Sequence, residues 1–162
     1  MNHYLLPTTR SSYYNRPMST IVLAADHAGH PLKETIKSYL QLEGHDVIDV
    51  KHELEAGDDY PAIMRDGAKK VLEKNAVGIF FGGSGNGEAM AANKVPGIRA
   101  ALCYSAETAR LARAHNDANV MSLGARLIEP GDALEIVDMF LETAFEGGRH
   151  EARVADLDAL IA

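Results

Sequence analysis

The chain has almost no cysteine. Cys103 is its single one among 162 residues, so no intrachain disulfide can form, and a reducing compartment such as the cytoplasm suits it. It also lacks a basic excess. Lys and Arg number 16 against 23 Asp and Glu, a net charge of −7. That argues against a nucleic-acid surface, although a local arginine cluster can still attract an anionic substrate. No apolar run approaches the roughly 18 residues of a membrane span. The seven histidines show no H-x-H, H-x₃-H or H-E-x-x-H spacing, so no metal site is expected. What remains is ordinary globular composition, 46% apolar and 24% charged, in a length that suits one domain with a continuous core.

The first seventeen residues, "MNHYLLPTTRSSYYNRP", differ from the rest. They hold half of the tyrosines and no acid, and they lack the apolar stretch of a signal peptide. They are expected to be a disordered extension, or the product of an upstream start codon with Met18 as the true beginning. The domain is expected over 18–162.

Apolar runs and helical patterns alternate from there on. Strands are expected at 20–25, 45–50, 77–81, 97–104 and 119–125. The first, "TIVLAA", is a continuous apolar run ending at Asp26, the pattern of a strand buried on both faces. Helices are expected at 30–44, from about Ala62 to Lys74, after the glycine loop, and at 105–116, 130–148 and 149–162. Pro31 suits a first helical turn, Gly44 a helix end and Ser105 an N-cap. Met64, Ala68, Val71 and Leu72 are expected to face inward. Residues 51–61 form a polar loop with a turn signature. The alternation implies an α/β fold, a Rossmann-like three-layer sandwich with a five-stranded parallel sheet and helices on both faces. In such sheets the active groups stand at the C-terminal strand ends.

The third expected strand runs into "GGSGNGE", with four glycines in six positions. Glycine is needed where φ is positive or a ligand approaches the backbone, and such a loop aims N–H groups into one volume. A dinucleotide fingerprint is excluded by spacing: Glu88 or Met90 stands where its third glycine belongs. The Walker pattern fails because "EA" replaces "K[ST]". Glu88 beside N–H donors makes sense as a base that removes a proton from carbon while the donors hold the oxyanion. Such a base must be partly desolvated. The alternative is an acid that only complements its own helix. Asp26 and His27 end the first strand; Asp26 could equally cap the next helix. His115 and Asn116 end a helix, where a histidine also serves the dipole. Arg149 and Arg153, spaced i, i+4, form a fork for a phosphate or a solvated face paired with Glu146 or Asp156. Cys103 is expected in the core.

Together "AADHAGHPLK", "DDYP", "GGSGNGEAMAANKVPGIRAAL", "ARAHNDANVMSLGAR" and "EGGRHEARV" resemble ribose-5-phosphate isomerase type B, in the family shared with galactose-6-phosphate isomerase subunits. The resemblance runs from about Thr20 to the C-terminus. It implies a homodimer or tetramer whose active sites draw on two subunits. It implies interconversion of ribose 5-phosphate and ribulose 5-phosphate through an enediolate, a step of the non-oxidative pentose phosphate pathway, without metal or cofactor. One branch of the family uses a cysteine base where Gly82 stands; the other uses a glutamate where Glu88 stands. The resemblance therefore implies Glu88 as the proton-transferring base and Gly83, Ser84, Gly85, Asn86 and Gly87 as the anion hole. It implies His115 as the ring-opening acid, with Asp26 holding the ring and hydroxyls and His27 and Asn116 on the substrate. Arg149 and Arg153, with Arg126 and His150, would take the phosphate. The rival readings are an isomerase of allose or galactose 6-phosphate, and a non-catalytic sugar-phosphate or nucleotide-binding module.

Overall fold

The computed structural model describes residues 19–50 and 59–159. The N-terminal extension, most of the polar loop and the last three residues lie outside it. Five strands, β1 (Thr20–Ala25), β2 (Asp46–Asp49), β3 (Val77–Gly82), β4 (Ala100–Leu102) and β5 (Val120–Gly124), alternate with helices α1 (His30–Leu42), α2 (Tyr60–Lys74), α3 (Asn86–Ala92), α4 (Ala106–Asn116), α5 (Pro130–Glu142) and α6 (Arg149–Ala159). The strands form one sheet in the order β2-β1-β3-β5-β4, and every pair is parallel.

Side chains alternate across each strand, and the apolar runs feed both faces. Ile21, Leu23, Ile79, Phe81 and Met121 pack with α1, α4 and α5. Val22, Ala24, Phe80 and Val120 pack with α2 and α3. This is the three-layer arrangement expected from the alternation. Ser105 is the N-cap of α4 and forms a reciprocal capping box with Thr108. Gly44 follows the end of α1 with φ of 87°, a conformation suited to glycine.

Four local expectations are corrected. Helix α2 starts at Tyr60, which puts Pro61 in the first turn, where its missing N–H costs nothing. Leu72 points outward, 43% exposed, because Met64, Ala68 and Val71 already fill the stripe against the sheet. Strand β4 is shorter than expected: Gly97 takes a positive φ and the Asn119 side chain binds the Arg99 N–H and the Gly97 carbonyl. Helix α5 stops at Glu142. Beyond it the Glu146 N–H donates to the Ala114 carbonyl on α4, so a tertiary hydrogen bond replaces a further helical turn.

From β1 the chain moves to β2 on one side, and from β3 to β4 at the opposite edge before returning to β5. The strand order reverses between β1 and β3, and ligands in open α/β sheets settle in the crevice outside such a point. Asp26 and the glycine loop stand at its two lips.

Candidate active site

The two lips are pressed together. The Asp26 N–H donates to the Phe81 carbonyl at 3.4 Å. A side chain at Gly29 would collide with the Phe81 backbone, so glycine is needed for the β1–α1 turn to lie so close to β3. Asp26 is 8% exposed, and its Oδ1 accepts from the Gly29 N–H at 2.9 Å. It thus closes its own turn while its charge faces the glycine loop. His27 beside it is exposed.

The loop is fixed from below by β5 and its turn. The Ala125 N–H donates to the Gly82 carbonyl at 2.8 Å and the Arg126 N–H to the Gly83 carbonyl at 3.1 Å. The buried Ser122 hydroxyl donates to the Gly85 carbonyl at 2.7 Å. Gly85 has φ of 81°. Ser84 and Asn86 are exposed, and the Ser84 hydroxyl accepts from the Asn86 N–H at 3.3 Å. The Arg126 side chain lies along Gly83.

Glu88 falls in the first turn of α3 and is only 4% exposed. Its carboxyl occupies the space into which a Cβ at Gly82 would project. Gly82 is the last residue of β3, so the carboxyl sits directly on the strand end. Burial pushes its pKa above the ordinary carboxylate value, and the charge of Asp26 adds to the rise. The N–H groups of Glu88 and Gly85 oppose it by hydrogen bonding to the carboxylate. Glu88 does stand at a helix N-terminus, but an acid serving only the dipole would be solvated. Gly87, next to it, is covered by a residue to which the sequence reading gave no role. A Cβ at Gly87 would fall 2.6 Å from the Tyr60 hydroxyl and ring. The only sequence signal for it was the tyrosine of "DDYP".

The remaining expected residues gather elsewhere. Helix α4 starts after the C-terminal end of β4 and runs back, so His115 and Asn116 stand at its far end, close to the start of β5. Eleven residues span about 16 Å of helix. One chain therefore keeps His115 and Asn116 apart from Glu88. His115 stacks on His150, with ring centroids 4.3 Å apart and planes 11° from parallel. Glu146 Oε2 lies 3.6 Å from Nε2 of His115 and 3.9 Å from Nε2 of His150. Spacing along the chain gave no hint of this His–Glu–His group. Stacked, nearly parallel rings do not aim their in-plane lone pairs at one point, so the group as arranged is not a chelate. His150 is shielded, 6% exposed, and this burial together with the charges of His115, Arg149 and Arg153 holds its pKa below the ordinary histidine value. Arg149 and Arg153 are exposed, and neither forms an ion pair among the described residues. The pairing with Glu146 or Asp156 is not made, so both guanidinium groups stand exposed beside His150. Cys103 is buried among apolar neighbours and its thiol pKa is pushed up to about 12.

A buried carboxylate at the switch point, backed by a glycine loop, calls for comparison with known proteins. The profile of the Ribose/Galactose Isomerase family matches residues 21–157. The chain belongs to this family. Ribose-5-phosphate isomerase B of Mycobacterium tuberculosis is 45% identical over 83% of this chain and 85% of that protein. A solved ribose-5-phosphate isomerase B from Mycoplasma genitalium, with bound ribulose-5-phosphate, is 40% identical, with a TM-score of 0.85 over 89% of this chain and 97% of that one. The enzyme from Thermotoga maritima is 44% identical, with a TM-score of 0.84 over 87% of this chain and 98% of that one. Among the described residues no helix is long and apolar enough to cross a membrane.

Proposed function

We propose that the protein interconverts ribose 5-phosphate and ribulose 5-phosphate, with Glu88 as the base. The carrying observation is the Glu88 carboxyl itself. It is buried, raised in pKa, and seated in the volume that a side chain at position 82 would fill. The glutamate thus holds the same space in which the cysteine branch of the family would place its thiol. Cys103, buried and held protonated, is not a competing base.

In this reading the substrate ring opens first. His115 donates a proton to the ring oxygen as the C1–O4 bond breaks and the anomeric hydroxyl loses its proton to give the open-chain aldehyde, while Asp26 holds the hydroxyls. Glu88 then removes the proton from C2 of the aldose, leaving an enediolate. The N–H groups of residues 83–87 and the Ser84 hydroxyl hold the developing oxyanion. Glu88 returns the proton to C1, and the hydroxyl proton passes from O2 to O1, which gives the ketose. His27, Asn86 and Asn116 contact the sugar. Arg149, Arg153, His150 and Arg126 take the phosphate.

Glu88 and His115 stand at opposite ends of the sheet in one chain, so a site containing both needs two chains. The reading is a homodimer, or a tetramer made of two such dimers, in which Asp26, His27, residues 83–88 and Arg126 of one protomer face His115, Asn116, Arg149, His150 and Arg153 of its partner. No cofactor is required for this chemistry, and the reducing cytoplasm suits the free Cys103. The test is formation of ribulose 5-phosphate from ribose 5-phosphate by the purified protein, with and without EDTA. Turnover that survives the chelator supports a metal-free isomerase. Turnover of allose or galactose 6-phosphate alone would replace the substrate. Binding without turnover of any of them would replace catalysis with a sugar-phosphate-binding role.

A further inference from the structure

Helix α6 is weakly anchored. His150 is its single buried residue among those described. Yet α6 carries Arg149 and Arg153, whose placement has to be accurate for a phosphate. An eleven-residue helix tied at one end is a rod of about 16 Å free to pivot. Its first turn is tied by the His115–His150 stack. The second tie is at its other end, and it is made by Arg99.

Arg99 lies just before β4 with its side chain 17% exposed. Its Nη1 donates to Asp158 at 2.8 Å and 3.1 Å, to both carboxylate oxygens. Its Nε donates to the carbonyls of Asn116 and Asp117, each at 3.1 Å. Its Nη2 donates to the Asp117 carbonyl at 2.8 Å and to Asp117 Oδ2 at 3.1 Å. One guanidinium therefore satisfies carbonyls at the end of α4, which helix geometry leaves unpaired, and reaches α6 as well. Asp117, the C-cap of α4, takes the left-handed conformation with φ of 44°, which costs a non-glycine residue some energy. Arg99 holds it from one side and Arg113 from the other, at 2.9 Å. A cavity of about 390 Å³, lined in part by Arg99, Asn116, Ala118, Leu157 and Asp158, opens alongside. None of the α6 residues in this stretch is buried, so the ion pair is the specific polar tie between α6 and the end of α4 there.

We propose that Arg99 is a positioning residue: it clamps α6 to the end of α4 and so sets Arg149 and Arg153 relative to His115 and Asn116. This inference rests on the isomerase reading for its consequence, since the clamp matters where those groups meet a phosphosugar.

The test uses Asp158→Asn, which breaks only the α6 arm, and Arg99→Lys, which keeps the charge but not the fork. Asp158→Asn is expected to raise KM for ribose 5-phosphate by up to about fivefold, the upper end for one partly exposed ion pair, with kcat within about twofold. Arg99→Lys is expected to raise KM and also to lower kcat, because it loosens the turn after His115. In the Arg99→Lys background, Asp158→Asn is expected to add little, since its partner is gone. The proposal is overturned by an unchanged KM in folded Asp158→Asn, or by effects that simply multiply. Inactivity of the unaltered protein on ribose 5-phosphate would sink the isomerase reading alone. The clamp is then judged by NMR of the His115 and His150 ring protons, whose stacking shift must change in Asp158→Asn; unchanged resonances overturn it.

Discussion

The lip of the sheet between β1 and β3 and the α4–α6 region are built by different means. At the lip, glycines let backbone meet backbone. Gly29 fits against Phe81 and Gly82 fits against Glu88, with apolar strands beneath at 0% exposure. The acid there is held by close packing. In the α4–α6 region, a largely exposed α6 is joined to the end of α4 by a ring stack and an arginine fork beside Asp117 in the left-handed conformation. Proton transfer from carbon needs a desolvated base at fixed distance, and a dry, close-packed lip supplies one. Phosphate recognition needs charge that stays solvated until the ligand arrives, and a polar, open region supplies that. Under the proposed function, the chemistry is therefore expected to break at the first region, and affinity at the second.

The largest effect is expected at the lip. Glu88→Gln keeps the shape of the side chain and removes its basicity. It should fold normally and lose at least about a hundredfold in kcat, the low end of what a positioned base contributes. Near-normal turnover would remove Glu88 from the role. The division between the regions is tested next by mixing. Glu88→Gln and His115→Ala subunits, each inactive alone, should regain about a quarter of the unaltered activity when co-refolded, since half of the dimers are mixed and each has one intact site. No recovery would place both groups in one chain's site.

Arg153→Ala probes the second region. KM for the phosphosugar should rise about tenfold, as for loss of one charge-assisted contact, with kcat little changed. An unchanged KM takes Arg153 out of the phosphate site. A subtler probe returns to the lip. Asp26 raises the Glu88 pKa, and the base works only when ionised. The acid limb of the pH–kcat/KM profile should therefore lie above the ordinary carboxylate value, and Asp26→Asn should move it to lower pH. A limb that stays in place would mean that Asp26 does not tune Glu88. The smallest effect belongs to Tyr60. Its ring lies over Gly87, and Tyr60→Phe should cost about twofold to fivefold in kcat/KM, the worth of one neutral hydrogen bond. No change would reduce Tyr60 to a covering ring.

Much of this could be read along the chain. The apolar run of "TIVLAA" implied a strand covered on both faces, "VGIFF" a third strand, and four glycines before one acid marked the place of the buried Glu88. These are local signals, since a strand's burial and a loop's backbone freedom are written in adjacent residues. Leu72, the end of α5 and the shortness of β4 escape local reading because a hydrogen bond or a filled stripe elsewhere in the fold overrides local preference. The ring stack of His115 on His150, 35 positions apart, has no spacing signature. Nor does the six-bond reach of Arg99, whose partners lie on two separate helices.

Periodicity and composition were thus enough for the class of fold, the order of its elements and the position of the glycine loop, because each depends on neighbours in sequence. Folding alone settled that Glu88 is dry, that Asp26 stands against it, and that His115 with the two arginines lies at the other end of the sheet. Desolvation and charge pairing depend on distance in space, and that distance is created when the strand order reverses between β1 and β3 and α4 runs back along the sheet.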